Sequence, residues 1–207
     1  MKKILNGLKW TAIVIVAAFL LLVIIRIPHV LNEQKTAEQV AKIHATKLTL
    51  DDVMGKNLPP DPGAEADKTI AGIDANHNGI RDDVELAIFK EYPNSAKTRA
   101  VLLQYALALQ MDTIQPFVNE VTATAVVREQ SRADACISDT LVPRKTPESS
   151  RSYADIEKID SYVNSVNNLQ LNSGVRKEAR AYFVKYVRSY SESENIECDI
   201  SLSTLPN

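Results

Sequence analysis

Twelve consecutive positions hold most of the chemistry in this chain: Asp74 to Glu85 read DANHNGIRDDVE. Asp74, Asn76, Asn78, Asp82 and Glu85 place side-chain oxygens at positions 1, 3, 5, 9 and 12, and Gly79 stands at position 6. That is the pattern of a calcium-binding loop. Ca²⁺ takes about 6–8 hard oxygen ligands, so alternate side chains of a tightly curved loop must converge on one point. Gly79 allows the sharp turn, and the backbone carbonyl of Ile80 supplies position 7. Glu85 then falls in the first turn of a following helix, where a bidentate carboxylate closes the ligand shell near the helix's positive end. Three carboxylates and two Asn in a lone loop imply a structural Ca²⁺ site of about millimolar or somewhat tighter affinity, and Mg²⁺ suits the bidentate Glu less well.

Other chemistries leave little trace. There is no GxSxG, no HExxH and no glycine-rich phosphate loop, and His29, His44 and His77 lie far apart in sequence. No catalytic residue and no small-molecule substrate is therefore assigned, and the chain is expected not to be an enzyme. His44 has no second His or Cys within a helical turn and reads as a surface residue, as does His29 beside Pro28. Cys136 and Cys198 are the two cysteines, 62 positions apart. An even pair in an oxidising compartment is expected to be bridged.

The loop has to be carried by something, and the N-terminus says where. Trp10 to Ile25 (WTAIVIVAAFLLLVII) has no charge, and Leu8 to Ile27 gives twenty residues if Lys9 and Arg26 reach to the two interfaces. About 20 residues cross a hydrocarbon core as a helix. The run exceeds a signal-peptide core, and the residues after it (Ile24, Ile25, Arg26, Ile27, Pro28) are wrong for cleavage, so an uncleaved anchor is expected. Lys2, Lys3 and Lys9 precede the span and only Arg26 closely follows it. This asymmetry puts the N-terminus in the cytoplasm and the rest outside, in a periplasm bounded by a bacterial inner membrane. Of 24 basic residues, four precede the first acid, Glu33, which leaves 20 against 26 acids, a net charge of minus six on the body. Nucleic acid is not expected as a partner of such a surface.

After residues 1–30, the cytoplasmic stub and anchor, residues 31–66 read as a juxtamembrane helix followed by the stiff spacer LPPDPG, and residues 67–207 as the extracytoplasmic domain. The domain is helix-patterned. Thr69 to Ile73 (TIAGI) is a poor helix, so a loop with one exiting helix is expected. Ser95 can cap a helix that is apolar on nearly every side (Val101, Leu102, Leu103, Tyr105, Ala106, Leu107, Leu109, Met111), the signature of a central core helix. Pro116 suits the start of another, with Phe117, Val121 and Ala125 on one face. Pro143 and Pro147 mark a basic loop. Ile156, Ile159, Val163 and Val166 lie on a further helix; Val175, Ala179, Tyr182, Phe183, Tyr186, Val187 and Tyr190 lie on a last one, whose tyrosines are expected to face the core with hydroxyls at the rim. The fold class is mainly α: one transmembrane helix, then a compact helical bundle with one calcium-binding loop.

The string DANHNGIRDDVE resembles EF-hand-like loops of bacterial exported proteins and the thrombospondin type 3 loop, which share the Gly-Ile step and an acid at position 9. It departs from the standard EF-hand in having Ile80 at position 7 and Arg81 at position 8. With its flanks, LPPDPG and KTIAGID before and RDDVELAI after, it is similar to a group of uncharacterised Gram-negative envelope proteins over roughly residues 50 to 92. The resemblance implies no activity. The expected function is that of a membrane-anchored periplasmic calcium-binding protein, a non-enzymatic structural or protein-interaction module with a protein partner. The alternative is an immunity-type inhibitor of an envelope toxin; an enzyme with a site assembled only in space ranks below both.

Overall fold

The computed structural model describes residues 2–146, 148–190 and 197–206; the loop proline Pro147 lies outside them. Among the described residues there are seven α-helices and no strand. They are α1 (Lys2–Ala45), α2 (Leu50–Met54), α3 (Asp82–Glu91), α4 (Ala96–Ile114), α5 (Glu120–Leu141), α6 (Tyr153–Gln170) and α7 (Gly174–Val184).

The chain divides into two units, Met1–Ala41 and Lys42–Asn207. The first is most of α1, with mean hydropathy reaching 2.7 and its apolar side chains exposed. It is long and apolar enough to cross a membrane. Pro28 is accommodated within the helix.

The second unit begins earlier than the composition implies. Ile43, Leu48 and Val53 are all buried in it, so the prolines of 58–63 lie inside the compact unit instead of separating a stalk from a body. Its centre is α4, which packs against α5, α6, α3, α7 and α2. From Arg99 to Asp112 every residue of α4 is buried, as an all-round apolar pattern requires. Capping side chains start most of the helices. Ser95 accepts from the Thr98 N–H, Thr49 with Asp52 and Ser152 with Asp155 form reciprocal boxes, and Ser173 accepts from the Arg176 N–H.

Several expectations give way. α5 starts at Glu120 and not at Pro116, because Asn119 caps it by accepting from the Val121 and Thr122 N–H groups. Ala125 is buried but Val121 is exposed. On α6 only Val166 of the expected stripe is fully buried, and Ile156 is exposed. α7 turns Arg176 and Phe183 inward and leaves Val175 and Tyr182 outside. It stops at Val184, so Tyr186 and Tyr190 lie beyond it. The tyrosine face is therefore not a core face. Tyr182 and Tyr186 pack edge to face and share a 2.8 Å hydroxyl hydrogen bond at the surface.

Candidate functional site

Residues 68 to 81 are irregular and lead straight into α3, so one helix leaves the loop and none enters it. Asp82, Asp83 and Glu85 occupy the first turn of α3, where free N–H groups favour anions. Gly79 has φ of 86°, and a Cβ there would stand 2.7 Å from Leu107 Cδ1; the loop is pressed onto α4 at this point. The side chain of Ile80 beside it is fully buried.

Short side chains curl the loop by accepting from its own backbone. Asp74 accepts from the N–H groups of Asn78 (3.1 Å) and Gly79 (2.9 Å), and Asn78 Oδ1 accepts from the Ile80 N–H (2.9 Å). Asn76 Oδ1 accepts from the Asn78 N–H at 3.3 Å, and Asp82 from the Ala75 N–H at 3.0 Å. Asn76 Nδ2 then donates both to the Asn57 carbonyl and to Glu85 Oε2, each at 3.0 Å.

Glu85 is 1% exposed. Burial pushes its carboxyl up to about 7, opposed only by the amides of Asn76 and Asn78. The Asn78 amide nitrogen is itself buried and, though near that carboxyl, completes no hydrogen bond. Burial also raises Asp82, the Ala75 N–H opposes the rise, and the carboxylates of Asp74 and Asp83 add to it. Among the described residues no ion pair reaches Asp74, Asp82 or Glu85, and no three or more His, Cys, Asp or Glu are gathered as a metal cluster. The structure thus joins Glu85 to Asn76, and Asp74 and Asp82 to backbone amides, without bringing the three carboxylates to one point.

Two arginines, neither at a ligand position, fasten the loop. Arg81 is fully buried and bonds Asp83 through both Nε (2.7 Å) and Nη2 (2.6 Å). Arg176, also buried, donates to the carbonyls of Ala66, Thr69 and Ile70 just ahead of the loop. A guanidinium carries five donors in a fixed fork, which lets one side chain satisfy several carbonyls. The sequence offered one clue: Arg176, Arg180 and Phe183 recur at helical spacing on α7, in competition with the Val175 and Tyr182 face.

A second polar centre lies where the described C-terminal segment meets the start of the compact unit. Cys136 and Cys198 are at disulfide distance, with Sγ atoms 2.01 Å and Cα atoms 5.1 Å apart. Beside them Glu129 accepts from Lys47 Nζ (2.7 Å) and Arg132 Nη2 (2.8 Å), and its Oε1 is 2.7 Å from His44 Nδ1. His44 is therefore not a lone surface residue; His29, exposed on α1, stands 3.3 Å from Glu33. Asp199 pairs with Arg132 and accepts from the Leu48 N–H (2.9 Å). Burial alone would raise the Glu129 pKa, but the hydrogen bonds from Lys47, His44 and Arg132 together hold it below the ordinary range. Lys9 and Arg26, the expected anchor flanks, are exposed on α1. No family model, curated protein or solved structure matches this chain.

Proposed function

We propose that this chain is a membrane-anchored, calcium-binding, non-enzymatic module of the bacterial envelope. The observation that carries the reading is Glu85: a carboxylate at the twelfth loop position, 1% exposed, with the Asn76 amide as its hydrogen-bond donor and no Lys or Arg among the described residues paired with it. A buried carboxylate without a counter-charge is costly, and a bound cation would remove that cost. The donor set is hard oxygen throughout: Asp74, Asn76, Asn78, Asp82 and Glu85 by side chain and Ile80 by its carbonyl. That chemistry fits Ca²⁺, whose double charge would offset two of the three carboxylate charges.

Placement follows from α1. Lys2, Lys3 and Lys9 favour a cytoplasmic N-terminus, and the compact unit then lies in the periplasm of the inner membrane. The role in protein interaction is supported by the outward Val175, Tyr182 and Val184 of α7.

Calorimetric titration of the full-length chain in detergent micelles tests the ion reading. Heat on adding Ca²⁺, much less with Mg²⁺ and none for Glu85→Gln, is the expected result. A flat trace at about 10 mM Ca²⁺, well above the weak end of extracellular affinities, would reduce the loop to an Asn-Gly turn.

A further inference from the structure

Arg81 occupies the eighth position of the loop, yet its guanidinium leaves the loop altogether. Besides gripping Asp83, it donates to the Gln170 carbonyl through Nη1 and to the Leu169 carbonyl through Nη2, each at 3.1 Å. These are carbonyls of the last turn of α6, acceptors that helical geometry leaves without intrahelical donors. A cation there also meets the negative end of the helix. Arg176, in the first turn of α7, runs the opposite way. It donates to Ala66 (2.6 Å), Ile70 (3.0 Å) and Thr69 (3.1 Å), and pairs with Asp67 at 2.5 Å. The loop thus sends one arginine into the α6–α7 corner, and the corner sends one to the segment entering the loop. Gly72 lies at the crossing: its φ is 71°, and a Cβ there would collide with Cδ and Cγ of Arg81.

We infer that cation occupancy of the 74–85 loop sets the local stability of the α6–α7 corner, residues 169 to 176, through this exchange of arginines. The inference rests on the calcium reading above. The segments the guanidiniums hold, residues 66–70 and 81–83, flank the ligand positions directly: Asp74 follows four residues after Ile70, and Asp82 is bonded to Arg81 along the chain. Opening the corner frees Arg81 and with it the closed end of the loop. A ligand that needs the loop closed therefore disfavours corner opening, and by reciprocity a firm corner tightens the ligand. At a Ca²⁺ concentration ten times its dissociation constant, the opening equilibrium falls about tenfold.

Hydrogen exchange of the full-length chain in detergent micelles, read by mass spectrometry with and without Ca²⁺, tests this beside calorimetric heat on the same sample. The expected result is exchange about tenfold slower in peptides covering 169–176, with little change in the α5 segment 128–136. Arg81→Lys, which keeps the charge and loses the fork, should keep most of the heat and lose most of the slowing. Should circular dichroism show Arg81→Lys unfolded, Arg176→Lys is read in its place. Heat without slowing in the corner overturns the coupling and leaves calcium binding intact. Equal slowing along the whole chain also overturns it, and absence of heat overturns the calcium reading together with the coupling.

Discussion

Glu85 and Glu129 are the same residue type, both almost sealed from water, and their carboxyls are driven in opposite directions. Among the described residues Glu85 accepts from the Asn76 amide alone and rises to about 7. Glu129 has Lys47, His44 and Arg132 and is held below the usual range. Asp112 stands between them, with one arginine, Arg180, and the Gln130 amide at 2.6 Å; burial pushes it up to about 6 despite both. The series shows that burial raises a buried carboxyl and that several cationic partners together are needed to outweigh it. It also separates two polar centres of the compact unit: Glu129 and Asp199 are neutralised by ion pairs, whereas among the described residues Asp74, Asp82 and Glu85 have none.

The comparison can be broken most forcefully at the tail. Cys198→Ala should lower stability by up to about 4 kcal/mol, the chain-entropy value for a loop of this size. Oxidised wild type should show no titratable thiol under denaturing conditions, and two free thiols would remove the staple from the account. Next is Arg132→Ala, which strips Asp199 and Glu129 of their shared guanidinium and should cost about 3 kcal/mol in denaturant unfolding. A loss under about 1 kcal/mol would mean that Lys47 alone suffices and that this centre resembles a surface pair.

Asp112 sharpens the middle of the series. Its folded pKa is raised from the ordinary 3.8 to about 6, so the folded chain binds the extra proton between those values. The Asp112 contribution to stability should therefore fall as pH rises from about 4 to 6, by up to about 3 kcal/mol, while the fall due to Glu85 continues to about pH 7. Asp112→Asn should flatten that slope; an unchanged profile would assign it to other groups. The smallest effect belongs to the loop. Ca²⁺ at ten times its dissociation constant should add about 1.4 kcal/mol, a melting shift of a few degrees, absent in Glu85→Gln.

What was legible in the sequence was what a short window of residues determines. Ser95 and the apolar run after it specify α4, and the β-branched TIAGI stretch correctly excluded a helix entering the loop. The sixteen uncharged residues of α1 also announced themselves. The rest depended on partners distant along the chain. Arg81 and Arg176 are buried because carbonyls about 90 to 110 residues away accept from them, and no periodicity reports such a bond. α7 offered two faces of similar spacing, and the need to satisfy those carbonyls chose the arginine face over the tyrosines. Asn119 took the cap that Pro116 seemed to announce because its side chain satisfies two N–H groups, whereas proline only tolerates the position.

The hydrogen bond from the Leu48 N–H to Asp199 spans 151 positions. Contacts of such separation form late in folding, since the intervening chain must be ordered before they are rewarded. In a chain synthesised from its N-terminus, Lys47 and Leu48 emerge long before Asp199, and Glu129 and Arg132 emerge in between. A nascent body can collapse around α4 in that interval, but its first turn stays unfastened until residues 197–199 arrive. Chains truncated before residue 197 should therefore be cut faster by an added protease within 42–53 than the full-length chain.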